Sequence, residues 1–319
     1  MKAARLHAYH EALAVEELAE PAITGPFDVI VRIGGAGLCR TDLHIQEGQW
    51  AEKSGVELPY VLGHENAGWV HEVGSAVTNV VVGDTVIVHP LVTCGLCRAC
   101  RAGDDVHCID NAFPGISVDG GFAELLKTTA RSVVKLDPSL HPKDIAALAD
   151  AGLTAYHAVH KAAEILHPGA KAVVIGAGGL GHIGIQCLKA MTAADVIVLD
   201  PSEQALALAR ESGADTTVQV DTQGPSGSGT RGTHVDTILE MTDGLGAEAI
   251  IDFVGEKGAI EDGVAMLRQA GSYYVIGYGE NINVPTIDII SREINFVGNL
   301  VGSYNDLADL MTLTAQGKV

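Results

Sequence analysis

Four of the six cysteines lie in one short segment with the spacing C-x2-C-x2-C-x7-C: Cys94, Cys97, Cys100 and Cys108. A zinc ion bound by four thiolates has a closed tetrahedral shell, so it can hold a loop together but has no position left for substrate. An iron–sulfur cluster is the alternative for such spacing. In a cytosolic chain of this size, clustered cysteines indicate metal binding rather than disulfides. The spacing therefore favours a structural zinc site.

A glycine-rich turn stands between a predicted strand, 172–175, and a predicted helix, 182–190. Its residues are Gly176, Ala177, Gly178, Gly179, Leu180 and Gly181. In the G-x-G-x-x-G pattern the first glycine allows a tight turn, the second lets a pyrophosphate approach the backbone, and the third lets the helix pack on the strand. The pattern alone is weak in a chain with 38 glycines. The strand before it and the helix after it favour a dinucleotide site.

An aspartate follows the next predicted strand, 195–199, at the distance where such folds hold the adenosine ribose. Asp200 would accept hydrogen bonds from the ribose hydroxyls and repel a 2′-phosphate, and no Arg or Lys stands directly after it. The sequence therefore predicts NAD(H) rather than NADP(H). The alternative is that Asp200 only caps the next helix. Since Ser202 also suits the N-cap, the two interpretations can coexist.

Further candidate metal ligands lie in separate turns. The segments are GLCRTDLH from Gly37, GHENAGWV from Gly63 and DAGLTAYHAV from Asp150. A single cysteine or histidine is more often a packing residue than a ligand. The combination of these segments with a nucleotide-binding fold makes a second metal site the better interpretation.

These three segments, the four-cysteine segment and VVIGAGGLGHIGIQ resemble the zinc-containing medium-chain dehydrogenase/reductase family, in particular its bacterial NAD-dependent alcohol dehydrogenases. The motifs follow the family's order and spacing along essentially the whole chain. The resemblance implies reversible hydride transfer between a primary or secondary alcohol, or the matching aldehyde or ketone, and NAD(H). Two alternatives are a polyol or sugar-alcohol dehydrogenase of the same family and a non-catalytic, zinc-stabilised nucleotide-binding protein.

The resemblance also implies a role for each candidate ligand and one catalytic and one structural zinc ion per subunit. Cys39, His64 and Asp150 would carry the catalytic zinc, and the four clustered cysteines the structural one. Many relatives have a cysteine at the position of Asp150, but those with the DAGLT form use the aspartate. Glu65 would be an exchangeable ligand that replaces the bound water.

By the same resemblance, Thr41 would take the alcohol proton and His44 would deliver it to solvent. Thr154, Val254 and Gly277 would seat the nicotinamide. Trp50 would line the substrate pocket, although a tryptophan is as readily part of a core. The alternative for His44 is an ordinary surface histidine.

The elements that must position these residues change in character near Leu153. Before it, short β-branched runs at 29–33, 80–82, 86–88 and 133–134 alternate with turns and predict a β-rich region. After it, strands at 172–175, 195–199, 249–253 and 273–276 alternate with helices at 155–166, 202–212 and 259–269, which predicts a parallel, doubly wound sheet. Residues 221–233 are predicted to form a surface loop.

The predicted fold class is therefore α/β: a Rossmann sheet plus a β-rich, GroES-like catalytic domain. We expect the catalytic domain to span residues 1–152, completed by 303–319 with a helix at 305–316, and the NAD-binding domain to span 153–302. Relatives continue beyond that last helix, so we expect the C-terminal end of the catalytic domain to be missing.

The formal net charge of −20 argues against nucleic acid and anionic membranes as partners, since both require a basic surface. No apolar run approaches the roughly 18 residues of a membrane span. The first 18 residues lack the pattern of a signal peptide, so we expect a cytoplasmic protein. The family resemblance implies a homotetramer, or alternatively a homodimer.

Overall fold

The computed structural model describes residues 1–51, 55–220 and 232–319. The described chain divides into two compact units. The first contains Met1–Leu153 and Gly302–Ala315, and the second contains Thr154–Val301 and Gln316–Val319. Among the described residues, none of the helices has the length and apolar character to cross a membrane.

Sixteen strands lie within the described ranges. They are β1 Lys2–Leu6, β2 Ala14–Glu17, β3 Asp28–Gly37, β4 Tyr60–Val61, β5 Glu65–Val73, β6 Thr85–Val88, β7 Val92–Thr93, β8 Asn111–Ala112, β9 Leu125–Thr129, β10 Val133–Lys135, β11 Lys171–Ile175, β12 Asp195–Asp200, β13 Thr216–Gln219, β14 Ala247–Asp252, β15 Leu267–Val275 and β16 Asn295–Gly298.

Ten α-helices lie within the same ranges. They are α1 Arg40–Gln46, α2 Arg98–Ala102, α3 Pro142–Ile145, α4 Ala151–Ala163, α5 Gly179–Met191, α6 Glu203–Glu211, α7 Thr233–Met241, α8 Ala259–Met266, α9 Thr286–Arg292 and α10 Tyr304–Ala315. Short 3-10 turns occupy Asp105–His107, Ala130–Ser132 and Ala146–Ala149.

The first unit is built on a five-stranded antiparallel sheet of order β10-β6-β5-β3-β9, beside smaller sheets β2-β1-β4 and β7-β8. Alternate β-branched residues of its strands, such as Val29 and Val31 of β3, point into a buried core. The register of β3 and β5 pairs Gly37 with Glu65. This pairing matters for function because Cys39 follows the end of β3 and His64 precedes the start of β5.

The second unit is a parallel six-stranded sheet of order β13-β12-β11-β14-β15-β16. Residues 172–174 of the central strand β11 are fully buried, as expected for a parallel sheet covered on both faces. The chain builds outward from β11 through β12 and β13, then returns to β14 on the other side. This reversal between β11 and β14 is the topological switch point, where open α/β sheets bind ligands at the carboxyl ends of their strands. The predicted Rossmann-type sheet and β-rich region are confirmed.

Four element predictions differ from the structure. The helix predicted at 259–269 is α8, which ends at Met266, because Leu267 already pairs with Ala247 of β14 and begins β15. Residues 80–82 do not form a strand: Val80 packs in the core while Val81 and Val82 are exposed in a turn that ends at Gly83. The helix predicted at 155–166 is α4, which starts four residues earlier. Of the predicted loop at 221–233, residues 221–231 lie outside the described residues, and α7 begins at Thr233.

One non-glycine residue holds an unfavourable backbone conformation near the start of β15. Ala270 has φ of +57°, in the left-handed region that costs an L-residue with a side chain about 1–2 kcal/mol. Replacing Ala270 with Gly should raise the stability of the protein by about 1 kcal/mol, seen as a higher apparent melting temperature.

The matched control is Ala207→Gly in helix α6, where the same change should lower stability by about 1 kcal/mol. A lower melting temperature for Ala270→Gly than for the unmodified protein would contradict this account of Ala270.

Candidate functional site

Three residues from distant parts of the first unit meet at one point. One ligand atom each of Cys39, His64 and Asp150 lies within 4.8 Å of the other two. His64 Nε2 and Asp150 Oδ2 are 3.4 Å apart. Two ligands held about 2.0–2.1 Å from a tetrahedral zinc ion lie at about this separation. The donor set of one thiol, one imidazole and one carboxylate therefore fits zinc, with a fourth position left open.

Local structure explains why these three residues converge. The pairing of Gly37 with Glu65 brings the end of β3 beside the start of β5. A Cβ on Gly37 would collide with the Glu65 carboxylate, so only glycine permits this approach. Asp150 stands directly before α4, and the first backbone N–H of that helix, on Ala151, donates to Glu65 Oε1 at 3.0 Å. Glu65 thus links the Asp150 turn to β5.

His64 is almost fully buried among acidic groups. Its Nδ1 lies 3.2 Å from Asp42 Oδ1, on the opposite side of the ring from Asp150. Burial alone disfavours the charged imidazolium, but Asp150, Asp42 and Cys39 together raise the pKa of His64 well above its usual value. A metal must therefore displace a firmly held proton, and zinc binding here should weaken in acid.

Glu65 is also buried, beside the same ligands. Burial and the charge of Asp150 raise the pKa of its carboxyl to about 7. A carboxyl group in this position can be neutral or charged near neutral pH. It can therefore change its charge when a cation enters the cluster.

The four clustered cysteines also converge, as their spacing predicts. The thiols of Cys94, Cys97, Cys100 and Cys108 lie within 4.8 Å of one another, and none of them is in a disulfide. Backbone N–H groups point at the sulfurs: Leu96 and Cys97 donate to Cys94 Sγ, both at 3.4 Å. Left-handed Gly95 supports the turn that aims these donors.

The thiol pKa values match a metal-binding role. A hydrogen bond from the backbone N–H of Cys100 is the main cause that lowers the pKa of Cys97 to about 6. A hydrogen bond from the backbone N–H of Leu96 is the main cause that lowers the pKa of Cys94. Burial raises the pKa of Cys100 to about 12. Four thiols this close can all be ionised only against a positive ion, and the donor set fits a closed zinc site.

The glycine turn of the second unit lies at the switch point. Gly176 has φ of +90°, and a Cβ on Gly181 would collide with the Gly176 carbonyl oxygen. At Gly178 and Gly179 a Cβ would meet nothing within 4 Å. This open space lies at the N-terminus of α5, where backbone N–H groups and the helix dipole favour phosphates. The turn therefore fits a dinucleotide pyrophosphate.

Asp200 ends β12, the strand next to the glycine turn. Its Oδ2 accepts from Ala177 N at 2.9 Å and its Oδ1 accepts from Ser202 N at 2.8 Å. Ser202 is itself the N-cap of α6. The carboxylate thus lies against the glycine turn and at the start of α6. This position is compatible with both the ribose-binding and the helix-capping interpretation of Asp200.

Two of the three residues predicted to seat the nicotinamide follow strand ends of this unit, and the third lies in a helix. Val254 follows β14 and Gly277 follows β15, and their backbones pack so closely that a Cβ on Gly277 would collide with Val254. Thr154 lies in α4, and its carbonyl oxygen accepts from Asn299 Nδ2 at 3.2 Å, just after β16.

A buried aspartate at this edge was not identified from the sequence. Asp252 Oδ1 accepts from Val254 N at 2.8 Å and from Gly255 N at 3.0 Å, while Tyr273 donates to its Oδ2 at 2.7 Å. Burial raises the pKa of Asp252. It shapes the turn that carries Val254. Its signal in the sequence was an acidic residue inside an otherwise apolar strand.

The proposed proton relay lies on α1, which starts directly after Cys39. Thr41 and His44 are three positions apart and so share a face of this helix. His44 Nε2 accepts from Arg40 Nε at 3.2 Å.

Trp50 is partly buried and packs against the apolar cluster around Leu6. This is the position expected if Trp50 is part of the core.

Two residues beside His64 were also missed. Asp42 Oδ2 accepts from Cys39 N at 2.9 Å at the start of α1, and an acid three residues after a helix N-cap was its signal in the sequence. The Phe113 ring meets the His64 ring edge-on, with centroids 5.9 Å apart. Nothing in the local sequence pattern distinguishes Phe113.

A parallel sheet with a phosphate-binding turn, in a chain that also carries a three-donor metal cluster, defines the class of metal-dependent nucleotide-using oxidoreductases. Residues 25–138 match the family described as the alcohol dehydrogenase GroES-like domain. Residues 179–316 match the family described as zinc-binding dehydrogenase. The chain belongs to the zinc-binding alcohol dehydrogenase family, and it is an oxidoreductase.

Individual relatives agree along the whole chain. It is 34% identical to an NAD-dependent alcohol dehydrogenase of Sulfurisphaera tokodaii, covering all of this chain and 90% of that protein. It is 37% identical to a D-arabinose 1-dehydrogenase (NADP(+)) of Saccharolobus solfataricus, covering all of this chain and 88% of that one. Among solved structures, an alcohol dehydrogenase of Aeropyrum pernix is 47% identical, with a TM-score of 0.92 over all of this chain and 91% of that one.

Proposed function

We propose that the protein catalyses reversible hydride transfer between a primary or secondary alcohol and NAD(H), with one catalytic and one structural zinc ion per subunit. The observation that carries this proposal is the convergence of ligand atoms of Cys39, His64 and Asp150, three donors that would leave a four-coordinate zinc ion one open position. A closed four-thiolate site cannot bind substrate, so the open cluster is the place for catalysis.

In this proposal the ligands Cys39, His64 and Asp150 hold the catalytic zinc, with Glu65 as an exchangeable ligand. When bound, zinc lowers the pKa of an alcohol hydroxyl and polarises a carbonyl in the reverse direction. A carboxylate in place of a second thiolate is a harder donor, so Asp150 would leave more positive charge on a bound zinc ion.

Bound NAD⁺ would supply the hydride acceptor, and oxidation of the alcohol would also release one proton. The Thr41 hydroxyl would take that proton first, and His44 would deliver it to solvent. His44 is partly exposed, at the end of α1 away from the buried ligands, and an imidazole can both accept and donate a proton.

The cofactor assignment rests on Asp200 and the glycine turn. The pyrophosphate would bind at Gly178, Gly179 and Leu180, between Gly176 and Gly181, and the nicotinamide near Thr154, Val254 and Gly277. Asp200 already accepts one backbone hydrogen bond on each oxygen, and its remaining lone pairs are available to ribose hydroxyls. The negative charge would repel a 2′-phosphate.

The substrate is proposed to be an alcohol with an apolar body. The Phe113 ring stands beside His64 and packs on the same apolar cluster as Phe122. A sugar substrate is the second candidate, because one relative is named a D-arabinose dehydrogenase. Turnover measured on a panel of alcohols and pentoses separates the two.

We also propose that residues 1–152 with 303–319 act as the catalytic domain and 153–302 as the NAD-binding domain.

We further propose a homo-oligomer, either a dimer or a tetramer, in which copies of the chain would join at the edge strand β16. Exposed Ile287 and Ile290 of α9 and Leu300 lie in the segments around this strand. Reduced, closely packed thiols suit the cytoplasm.

Zinc content and turnover test the catalytic assignment together. His64→Ala should lose one of two zinc ions per chain, bind NADH normally and retain less than about 1% of the activity, because a positioned metal supplies several kcal/mol of transition-state stabilisation. Cys97→Ser is the matched variant for the other site and should lose the other zinc ion.

Elemental analysis, NADH fluorescence titration and absorbance of NADH in the presence of a ketone give the three readouts. Full zinc content or full activity in His64→Ala would refute the assignment. An unmodified protein that binds both zinc and NADH but turns over no alcohol or ketone would favour a non-catalytic role.

Cofactor preference tests Asp200. Asp200→Gly removes both the ribose acceptor and the negative charge, so the ratio of kcat/KM for NAD⁺ to that for NADP⁺ should fall by about tenfold or more. Glu203→Gln, an exposed charge change in the following helix, serves as control. An unchanged ratio in Asp200→Gly would show that another residue selects the cofactor.

The oligomer is tested by a charge on its proposed apolar surface. Ile290→Glu should shift the protein toward smaller species in sedimentation velocity, because a buried unpaired charge is costly. Leu245→Glu, an equally exposed apolar residue elsewhere, should change nothing. A monomeric unmodified protein would contradict the proposal.

A further inference from the structure

Tyr60 lies in the apolar cluster of the first unit that also contains Ile45 of α1. It opens the short strand β4 and precedes His64 by four residues. Its ring packs in the apolar cluster formed with Leu6, Ile45 and Leu62, and only 3% of its surface is exposed. Asp42 and Ile45 are the buried residues of α1 and lie about one helical turn apart. The Tyr60 ring therefore packs against the same face of α1 that carries Asp42.

The hydroxyl of Tyr60 is buried and makes no hydrogen bond with the described residues. Leaving such a group unpaired is unfavourable, and a phenylalanine would fill the same apolar space without that cost. A buried phenol in this place therefore calls for an acceptor.

Two further buried polar atoms lack a hydrogen-bond partner among the described residues, and one of them is an acceptor. Asp42 Oδ1 and His64 Nδ1 are buried, and although they are 3.2 Å apart, neither makes a well-aligned hydrogen bond within the described part of the chain. The charges of Asp42 and His64 both act on the Tyr60 hydroxyl: burial is the main cause that raises its pKa, and Tyr9 and Asp42 add to it.

We propose that Tyr60 is a positioning residue for His64: the Tyr60 hydroxyl donates a hydrogen bond to one buried water, and that water donates to Asp42 Oδ1. Such a water would accept from Tyr60 and donate to Asp42, within the range of roughly two to four hydrogen bonds that buried waters make. This inference rests on the proposed zinc site at Cys39, His64 and Asp150.

The consequence for the metal follows from the direction of the hydrogen bonds. A carboxylate fixed by Tyr60 accepts from His64 Nδ1–H, and this sets the tautomer that leaves the Nε2 lone pair facing Cys39 and Asp150. Partners behind a metal-binding histidine raise its basicity, and their loss commonly costs 10- to 100-fold in metal affinity.

Zinc release from the loaded holoenzyme into excess chelator tests the inference. Two phases are expected, and the catalytic one is identified by its absence in His64→Ala. Tyr60→Phe should accelerate the catalytic phase by about tenfold and leave the four-thiolate phase unchanged. Tyr9→Phe removes a hydroxyl next to the same apolar cluster and should match the unmodified protein in both phases.

A double mutant separates positioning from simple packing. In an Asp42→Asn background, Tyr60→Phe should accelerate release by less than about twofold, because the shared hydrogen bond is already altered. An acceleration as large as in the unmodified background would overturn the proposal, as would an unchanged catalytic phase in Tyr60→Phe. If the unmodified protein shows only the four-thiolate phase, the proposed catalytic zinc site itself fails, which is a different outcome.

Discussion

The concentration of negative groups around one buried imidazole is the constraint on which the first unit depends. His64 lies between Asp42 and Asp150, with Cys39 and Glu65 beside it. Such a cluster is stable only if a positive charge is shared among its members. Without metal, the protons on His64 and Glu65 meet part of this need, as the raised pKa values of both groups show. A divalent cation meets it more fully.

The same constraint explains the backbone around the cluster. Gly37 must lack a side chain so that β3 can pass the Glu65 carboxylate. Glu65 in turn accepts the first N–H of α4 and so fixes the turn that presents Asp150. Sheet register, a glycine and a helix N-terminus therefore act together to bring three distant ligands to one point. In the second unit, close contacts at Gly181 and Gly277 have a similar role, because they leave backbone rather than side chains around the nucleotide turn.

Much of this arrangement was readable in the sequence, and the reasons differ between sites. The four cysteines are close in the chain, so spacing alone indicates their convergence. The glycine turn is local too, since the strand and helix that flank it are contiguous with it. Cys39, His64 and Asp150 are far apart in sequence, and only the family resemblance joined them before the structure brought their ligand atoms together.

What the sequence did not reveal depends on tertiary packing. Asp42 and Phe113 are ordinary residues until the fold places them against His64. The run 80–82 looks like a strand because its residues are β-branched, yet only Val80 reaches the core and the others follow the turn outward. Side-chain type sets local preference, but burial on one side or both is decided by the rest of the sheet.

Anomalous diffraction from crystals of the zinc-loaded protein, collected at the zinc absorption edge, tests the central claim most directly. Two peaks per chain are expected: one bounded by Cys39 Sγ, His64 Nε2 and an Asp150 carboxylate oxygen, and one among the four clustered thiols. A single peak at the four thiols, with no anomalous signal beside His64, would contradict that claim.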